Sequence, residues 1–369
     1  MSRTHHPTIS TDAESRLDAL VDRIEAQPGT FIDLDEMRAA QDAIDVRNVL
    51  AHLPPDLSEE DFVGILKLAM LTEAATDSYA AVFEEGARLH KASWLSRFTQ
   101  RVWVPDEHTH AMPYKLMLLD LGHEEAELDR EIGLVQDERY EHCCGKTPVE
   151  LTTYGVIQEY LTDHWHGLIS RLMKPSAPLA AHMANQVKAR ETLHTLWYRD
   201  MTAVLVEEDP ETLGLVADTV LGFKMPGNAL VPQYQAKARH WMPHLGVDYD
   251  LVARELVRNF SHIAGTVRGT GELLIEIAVR RGYTIGPLPP RAAQVALDRM
   301  GGMGYGLLGE AILERVGLPL PAGRRASNGH ESNARGMGVY HALHERARGM
   351  TRRYIGRRID LRTVTGETS

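Results

Sequence analysis

The sequence predicts an all-α fold, a bundle of long helices with additional helices around it, on three observations. Apolar residues recur at three- and four-residue spacing through residues 34–262. One such stripe comprises Phe62, Ile65, Leu66, Ala69 and Met70. The period-two alternation typical of strands is absent. Breakers that contain Pro or Gly separate the helical stretches at residues 54–55, 145–148, 175–178, 209–210 and 225–227. Long helices joined by connections of moderate length favour a helical bundle.

The helical pattern divides the chain into three predicted parts. Residues 1–30 are expected to be an N-terminal tail that leads into short helical turns, and residues 31–285 to be one helical domain. A break at residues 286–290 opens a C-terminal helical extension, residues 286–369, with a flexible linker at 317–338 and a basic tail at 339–358. Residues 321–369 hold ten Arg against four acidic residues, a net charge of +6. This segment is either a solvated tail or subunit contact, or a docking surface for an acidic partner.

The composition excludes several classes of protein. The 369 residues carry a net charge of −11, which argues against nucleic acid as a general partner. The two cysteines, Cys143 and Cys144, are adjacent, so neither a disulfide framework nor a thiolate metal site is expected. The polar N-terminus has no apolar signal core, and no apolar run reaches the roughly 18 residues of a membrane span. A cytoplasmic location is therefore expected.

Two short motifs point to metal chemistry. Glu107 and His110 form one Glu-x-x-His motif, and Glu191 and His194 form another. Residues three apart on a helix share a face, so each motif can present a carboxylate and an imidazole to one ion. A single motif of this kind is weak evidence, because it arises often by chance.

The spacing of two further glutamates strengthens the metal interpretation. Glu73 lies 34 residues before Glu107, and Glu159 lies 32 residues before Glu191. Each interval fits two antiparallel helices of about 14 residues and a loop, which brings both ligands to one height in a bundle. One Glu from each of two helices and a Glu-x-x-His from each of the other two is the ligand set of ferritin-like di-iron bundles. Four buried carboxylates need cations, and this donor set suits iron or manganese better than calcium.

The residues around these ligands extend the pattern beyond the motifs. They comprise Tyr79 after Met70-Leu-Thr-Glu73, Trp103 before Glu107, Gln158 and Thr162 beside Glu159, His166-Gly167, Tyr198 after His194, and Phe223-Lys-Met-Pro-Gly227. In this combination, residues 60–250 resemble the soluble acyl-acyl-carrier-protein desaturases, and the Met-Pro-Gly segment is most similar to the actinobacterial members.

The resemblance implies a fold, a cofactor and a reaction. It implies a ferritin-like four-helix bundle that binds two Fe ions through Glu73, Glu107, His110, Glu159, Glu191 and His194. It implies an enzyme that uses O₂ to place a cis double bond in an acyl chain carried on acyl carrier protein. An electron donor such as ferredoxin and a homodimer are implied as well. Two alternatives remain open: a di-iron hydroxylase or N-oxygenase acting on a carrier-bound intermediate, and a ferritin-like iron-binding protein without organic substrate.

The chain departs from the family pattern at three places. No Trp precedes Trp94, and Arg190 stands before Glu191 where the family has an Asp; the family's Trp and Asp are proposed to carry electrons. Pro105 and Pro113 bracket the second ligand motif, so a kink or π-bulge is expected there.

Other side chains near the ligands were assigned by helical position. Thr162, one turn from Glu159, is expected to face the metals and take part in oxygen activation rather than only bond to its own helix. Trp103, one turn before Glu107, fits a role at the metal site and a role in core packing equally well. His166 is either a support for a ligand or a core histidine. Asp106 and His108 are predicted to lie off the ligand face.

Overall fold

The computed structural model describes residues 9–27, 32–138 and 140–280, and within them it contains helices and no strand. This confirms the predicted all-α class. The helices are α1 Thr11–Glu25, α2 Leu34–Ala39, α3 Arg47–Leu50, α4 Glu59–Glu73, α5 Thr76–His90, α6 Ser93–Phe98, α7 Val104–Glu107, α8 Ala111–Asp120, α9 Glu125–Asp137, α10 Pro148–Met173, α11 Pro178–Glu208, α12 Leu213–Gly222, α13 Gly227–Leu230, α14 Tyr234–His244, α15 Tyr249–Ile263 and α16 Val267–Arg280.

The longest helices of the described chain, α10 and α11, pack against each other along their length. Thr147 caps α10 in a reciprocal pair with Glu150, and a proline is the first residue of each helix, where its missing N–H is harmless. Residues 174–177 reverse the chain between them. This half of the bundle has the predicted pair of antiparallel helices and a loop, but the helices, of 26 and 31 residues, are about twice as long as expected.

Helix α4 packs on α8 and supplies the third side of the bundle. Ser58 and Asp61 form its capping box. Its predicted apolar stripe is fully buried, as expected of a face turned to the core. The helix ends at Glu73, and α5 begins three residues later.

The fourth side of the bundle is broken where the two prolines predicted it. Residues Thr99–Trp103 form a π-helix between α6 and α7, in which the Val104 N–H bonds to the carbonyl of Thr99, five residues back. Pro105 follows directly and has no N–H to offer an α-helical bond. A turn at residues 108–110 then separates α7 from α8. The expectation of a π-bulge or kink is confirmed.

The N-terminal region differs from the expected tail over residues 1–30. Thr11–Glu25 form helix α1, which Ser10 caps and which packs on α6 and α11. Its buried residues recur at helical spacing: Ala13, Leu17, Leu20, Val21 and Ile24. The tail prediction was wrong here because charged residues between these positions obscured the apolar face.

Beyond the bundle, α12 packs on α10 and α16, and α15 packs on α11. No helix of the described residues is long and apolar enough to cross a membrane. The predicted C-terminal extension at 286–369, with its linker and basic tail, lies outside the described residues.

Candidate metal centre

The structure places the six predicted ligand residues in one buried cluster at the middle of the bundle. None of them is more than 5% exposed. Their donor atoms form two groups of four, each with its atoms within 4.8 Å of one another. One group is Glu73, Glu107, His110 and Glu191, and the other is Glu107, Glu159, Glu191 and His194. Glu107 and Glu191 belong to both groups, so their carboxylates lie where they would bridge two ions.

Both imidazoles turn the same ring nitrogen toward the carboxylates. His110 Nδ1 lies 2.9 Å from Glu191 Oε1 and 3.7 Å from Glu73 Oε2. His194 Nδ1 lies 2.9 Å from Glu107 Oε1 and 3.7 Å from Glu159 Oε2. The Nε2 atoms of both rings point out of the cluster. Each histidine therefore offers Nδ1 as its metal donor.

The charges of the cluster call for cations. Burial raises the pKa of the Glu159 carboxyl well above its usual value, and the neighbouring Glu191 and Glu107 carboxylates raise it further. Burial opposes a charge on the His194 imidazole, but hydrogen bonds with Asp106 and Glu107 hold its pKa well above its usual value. Four carboxylates thus meet two imidazoles in the cluster. Two divalent ions would neutralise those four charges, so the donor set fits a two-metal centre.

Two side chains orient ligands from outside the cluster. His166 is fully buried, and its Nε2 lies 3.0 Å from Glu73 Oε1 while its Nδ1 hydrogen-bonds with the Tyr114 hydroxyl. Trp103 Nε1 donates to Glu159 Oε1 at 3.1 Å. Both residues contact a carboxylate of the cluster, which agrees with the supporting role that the sequence left open for His166 and adds one for Trp103.

Thr162 lies at the inner edge of the cluster. Its single hydroxyl proton can reach three acceptors: the backbone carbonyls of Gln158 and Glu159, and Glu191 Oε2 at 3.1 Å. The residue therefore combines the bond to its own helix with contact to a carboxylate common to both metal positions.

Asp106 is the residue that the sequence interpretation missed. It is fully buried, and its Oδ2 accepts hydrogen bonds at 2.7 Å from His194 Nε2 and from Arg190 Nε. A residue four before a histidine shares its helix face, and both Asp106 before His110 and Arg190 before His194 have this spacing. This spacing places Asp106 near His110, but it does not reveal the contact between Asp106 and His194. His108 lies outside, exposed and paired with Asp77.

An aromatic wall closes one side of the centre. The rings of Phe83, Phe98 and Trp103 contact Tyr198, which is fully buried. A Cβ on Gly155 would lie 2.6 Å from the Tyr198 ring, so only glycine allows this ring to lie against α10. The wall keeps water from the Glu159 side of the cluster.

A small, mostly apolar cavity borders the cluster. Glu73 and Thr162 belong to its lining, and its free space is about 30 Å³. Apolar side chains from α4, α10 and α14 and the segment before α13 make its walls: Leu68, Ala69, Leu161, Trp165, Met225, Tyr234 and Ala238.

The family comparison agrees with this centre. The family model described as fatty acid desaturase matches residues 12–246, and the match spans α1 and all six clustered residues. No curated protein matches the chain. Since the matched segment covers more than half of the sequence, the chain belongs to the fatty acid desaturase family.

Proposed function

We propose that this protein is an O₂-dependent di-iron desaturase that introduces a cis double bond into an acyl chain carried on acyl carrier protein. The observation that carries the proposal is the apolar cavity lined in part by Glu73 and Thr162, beside the two groups of metal donors. A saturated chain has only apolar surface for recognition, and each buried CH₂ contributes about 0.8 kcal/mol. An acyl chain that enters along these apolar side chains would have its methylenes beside the metal donors.

The reaction balances with one O₂ and two electrons. The segment –CH₂–CH₂– plus O₂, two electrons and two protons gives –CH=CH– and two waters. When bound by the six clustered residues, two iron ions would supply this redox chemistry. The electrons require an external donor, for which we propose a ferredoxin-type protein. We also propose that the enzyme is a homodimer.

The chain's own residues bind, orient and exclude water. Walls such as Leu161, Trp165 and Tyr234 hold the acyl chain and keep the site dry. The Thr162 hydroxyl can hold a proton at Glu191 Oε2 on the cavity side. His166 fixes Glu73, and Trp103 fixes Glu159. Each of these two glutamates belongs to a single donor group.

The carrier protein is proposed to dock on basic residues. Carrier proteins are acidic, and the basic segment 321–369 offers a net charge of +6 on an otherwise acidic chain. Turnover on carrier protein should therefore fall with salt, because such attraction is screened over about 8–10 Å at physiological ionic strength. Equal turnover of carrier-bound, coenzyme A-bound and free acids would contradict the docking proposal.

The mass of the product tests the function. The iron-loaded protein, with a reducing system and O₂, would be incubated with saturated acyl chains of several lengths on carrier protein. Loss of two hydrogens is expected, and the double variant His110→Ala/His194→Ala is the inactive control. Gain of one oxygen atom would instead indicate the hydroxylase or N-oxygenase. Iron uptake far beyond two per chain without any product would indicate an iron-storage protein.

A further inference from the structure

One buried carboxylate faces both histidines of the centre from outside. Asp106 Oδ2 accepts from His194 Nε2 at 2.7 Å, and Asp106 Oδ1 lies 3.7 Å from His110 Nε2. Asp106 Oδ1 and His110 Nε2 are both buried, and neither has a hydrogen-bond partner among the described residues. The two Nε2 atoms therefore converge on a single side chain.

Arg190 fixes the chemical state of that side chain. Its Nε donates to Asp106 Oδ2 at 2.7 Å, and its Nη2 lies 2.5 Å from the same oxygen. Arginine is always charged, and its pairing keeps Asp106 ionised and therefore an acceptor only. An imidazole that bonds to an ionised carboxylate through Nε2 keeps a proton there, so Nδ1 is the nitrogen that loses its proton and becomes the donor when a metal ion binds.

We propose that Asp106 is the positioning residue for both histidines of the metal centre. Its carboxylate selects, for each ring, the tautomer that turns Nδ1 to the metal position. For His194 the bond is formed, and for His110 a movement of less than 1 Å would bring the 3.7 Å pair to hydrogen-bond length. The inference rests on the proposed two-metal centre, but it does not depend on the organic substrate.

The outer triad itself is a poor metal site. Asp106, His110 and His194 have donor atoms within 4.8 Å of one another. The guanidinium of Arg190 already occupies Oδ2, however, and its positive charge would repel a cation there. Asp106 therefore acts through the histidines rather than as a ligand.

The test measures metal affinity without substrate. Co(II) would be titrated into the metal-free protein against a competing chelator, for the parent and for Asp106→Asn. An amide NH₂ facing an imidazole nitrogen favours the wrong tautomer, and loss of such an outer partner typically costs 10–100-fold in metal affinity. Because Asp106 serves both rings, both binding steps should weaken, and a cooperative thermal unfolding transition of the metal-free variant would show that it still folds.

The matched control is Asp163→Asn, a partly buried carboxylate paired with a cation, Lys188, but facing neither ligand histidine within hydrogen-bond distance. It should bind Co(II) like the parent. Arg190→Lys keeps the cation and should bind within a few-fold of the parent. Weakening of only one binding step, or parent affinity in Asp106→Asn, would overturn the proposal. If the parent binds no metal, the proposed centre itself fails.

A second measurement needs no variant. The Zn(II)-loaded parent, labelled with ¹⁵N in histidine, should show protons on Nε2 of both His110 and His194. Coordination of Zn(II) through Nε2 of either ring would contradict the assignment even if Asp106→Asn does not fold.

Discussion

The two halves of the bundle carry the same set of proposed metal ligands on different backbones. In the second half, Glu159 and the Glu191/His194 pair lie inside α10 and α11, two long unbroken helices. In the first half, Glu73 is the last residue of α4, Glu107 ends the short helix α7, and His110 lies in the turn that follows. A metal centre thus needs its donor atoms at fixed places, and it tolerates very different helices behind them.

The difference also explains where the supporting contacts arise. The broken half contributes Asp106 and Trp103, and their polar atoms contact His194 and Glu159 of the unbroken half. The unbroken half contributes Arg190 and His166, which contact Asp106 and Glu73. Each half orients the ligands of the other, so the centre forms only when both halves are folded together.

Removing one histidine from each half should have the largest effect. The double variant His110→Ala/His194→Ala deprives each donor group of its nitrogen ligand, and bound iron should fall from about two per chain to well below one. Each single variant should weaken one binding step more than the other. Iron analysis after gel filtration measures this. Two tightly held irons in the double variant would show that the ligand assignment is wrong.

Two buried threonines of the unbroken half differ in their contact with the cluster. Thr162 contacts Glu191 Oε2, whereas the Thr195 hydroxyl bonds to the carbonyl of Glu191 on its own helix. Thr162→Val should retain iron, because a helix hydroxyl seldom contributes more than about 1 kcal/mol to stability. Product formed per O₂ consumed should fall about tenfold or more, as expected when a positioned proton donor is lost.

Thr195→Val is the control for that experiment and should keep the parental ratio of product to O₂. If both valine variants couple O₂ to product as the parent does, Thr162 is a packing residue. The role would then pass to another polar group at the cavity end, with His166 the next candidate.

Pro105 allows the broken half to be repaired. Pro105→Ala restores an N–H, so an α-helical bond to the Arg101 carbonyl can compete with the π-helix. That change would turn Glu107 and His110 by about 100° round the helix axis and lower metal affinity several-fold. Pro113→Ala, in the first turn of α8 where no such bond is needed, should leave it unchanged. Co(II) titration compares the two, and equal affinities would refute a structural role for the π-helix.

The smallest expected effect is on the stability of α4, at the start of the first half. A hydrogen bond from the Ser58 hydroxyl lowers the pKa of Asp61 to about 2. Burial opposes this shift, and a hydrogen bond from the Trp241 N–H adds to it. A carboxyl with a depressed pKa stabilises the fold above its ordinary pKa near 4, and this stabilisation is lost as the pH falls toward 2. Asp61→Asn should therefore lower the melting temperature at pH 7 by about 2–4 °C.

The difference in melting temperature between Asp61→Asn and the parent should shrink as the pH falls from 4 to 2. Glu59→Gln removes a charge from the same turn without the capping bonds and should change the melting temperature less. A pH-independent difference would mean that Asp61 stabilises α4 through shape and not through its charge.

Much of this arrangement follows from the sequence. Helical periodicity predicted α4, and the spacing of Glu73 to Glu107 and of Glu159 to Glu191 predicted that these residues meet. Helix α1 was missed because charges surround its apolar face. Asp106 was missed because its role is set by a contact with His194, 88 residues away, which helical position alone does not determine.

One measurement tests the two-metal centre most directly: a crystal structure of the iron-loaded protein with an anomalous difference map at the iron edge. Two peaks per chain are predicted, one among Glu73, Glu107, His110 and Glu191, and one among Glu107, Glu159, Glu191 and His194. Both histidines should coordinate through Nδ1 and donate Nε2–H to Asp106. A single peak at the outer nitrogens, or none between the four glutamates, would contradict the account.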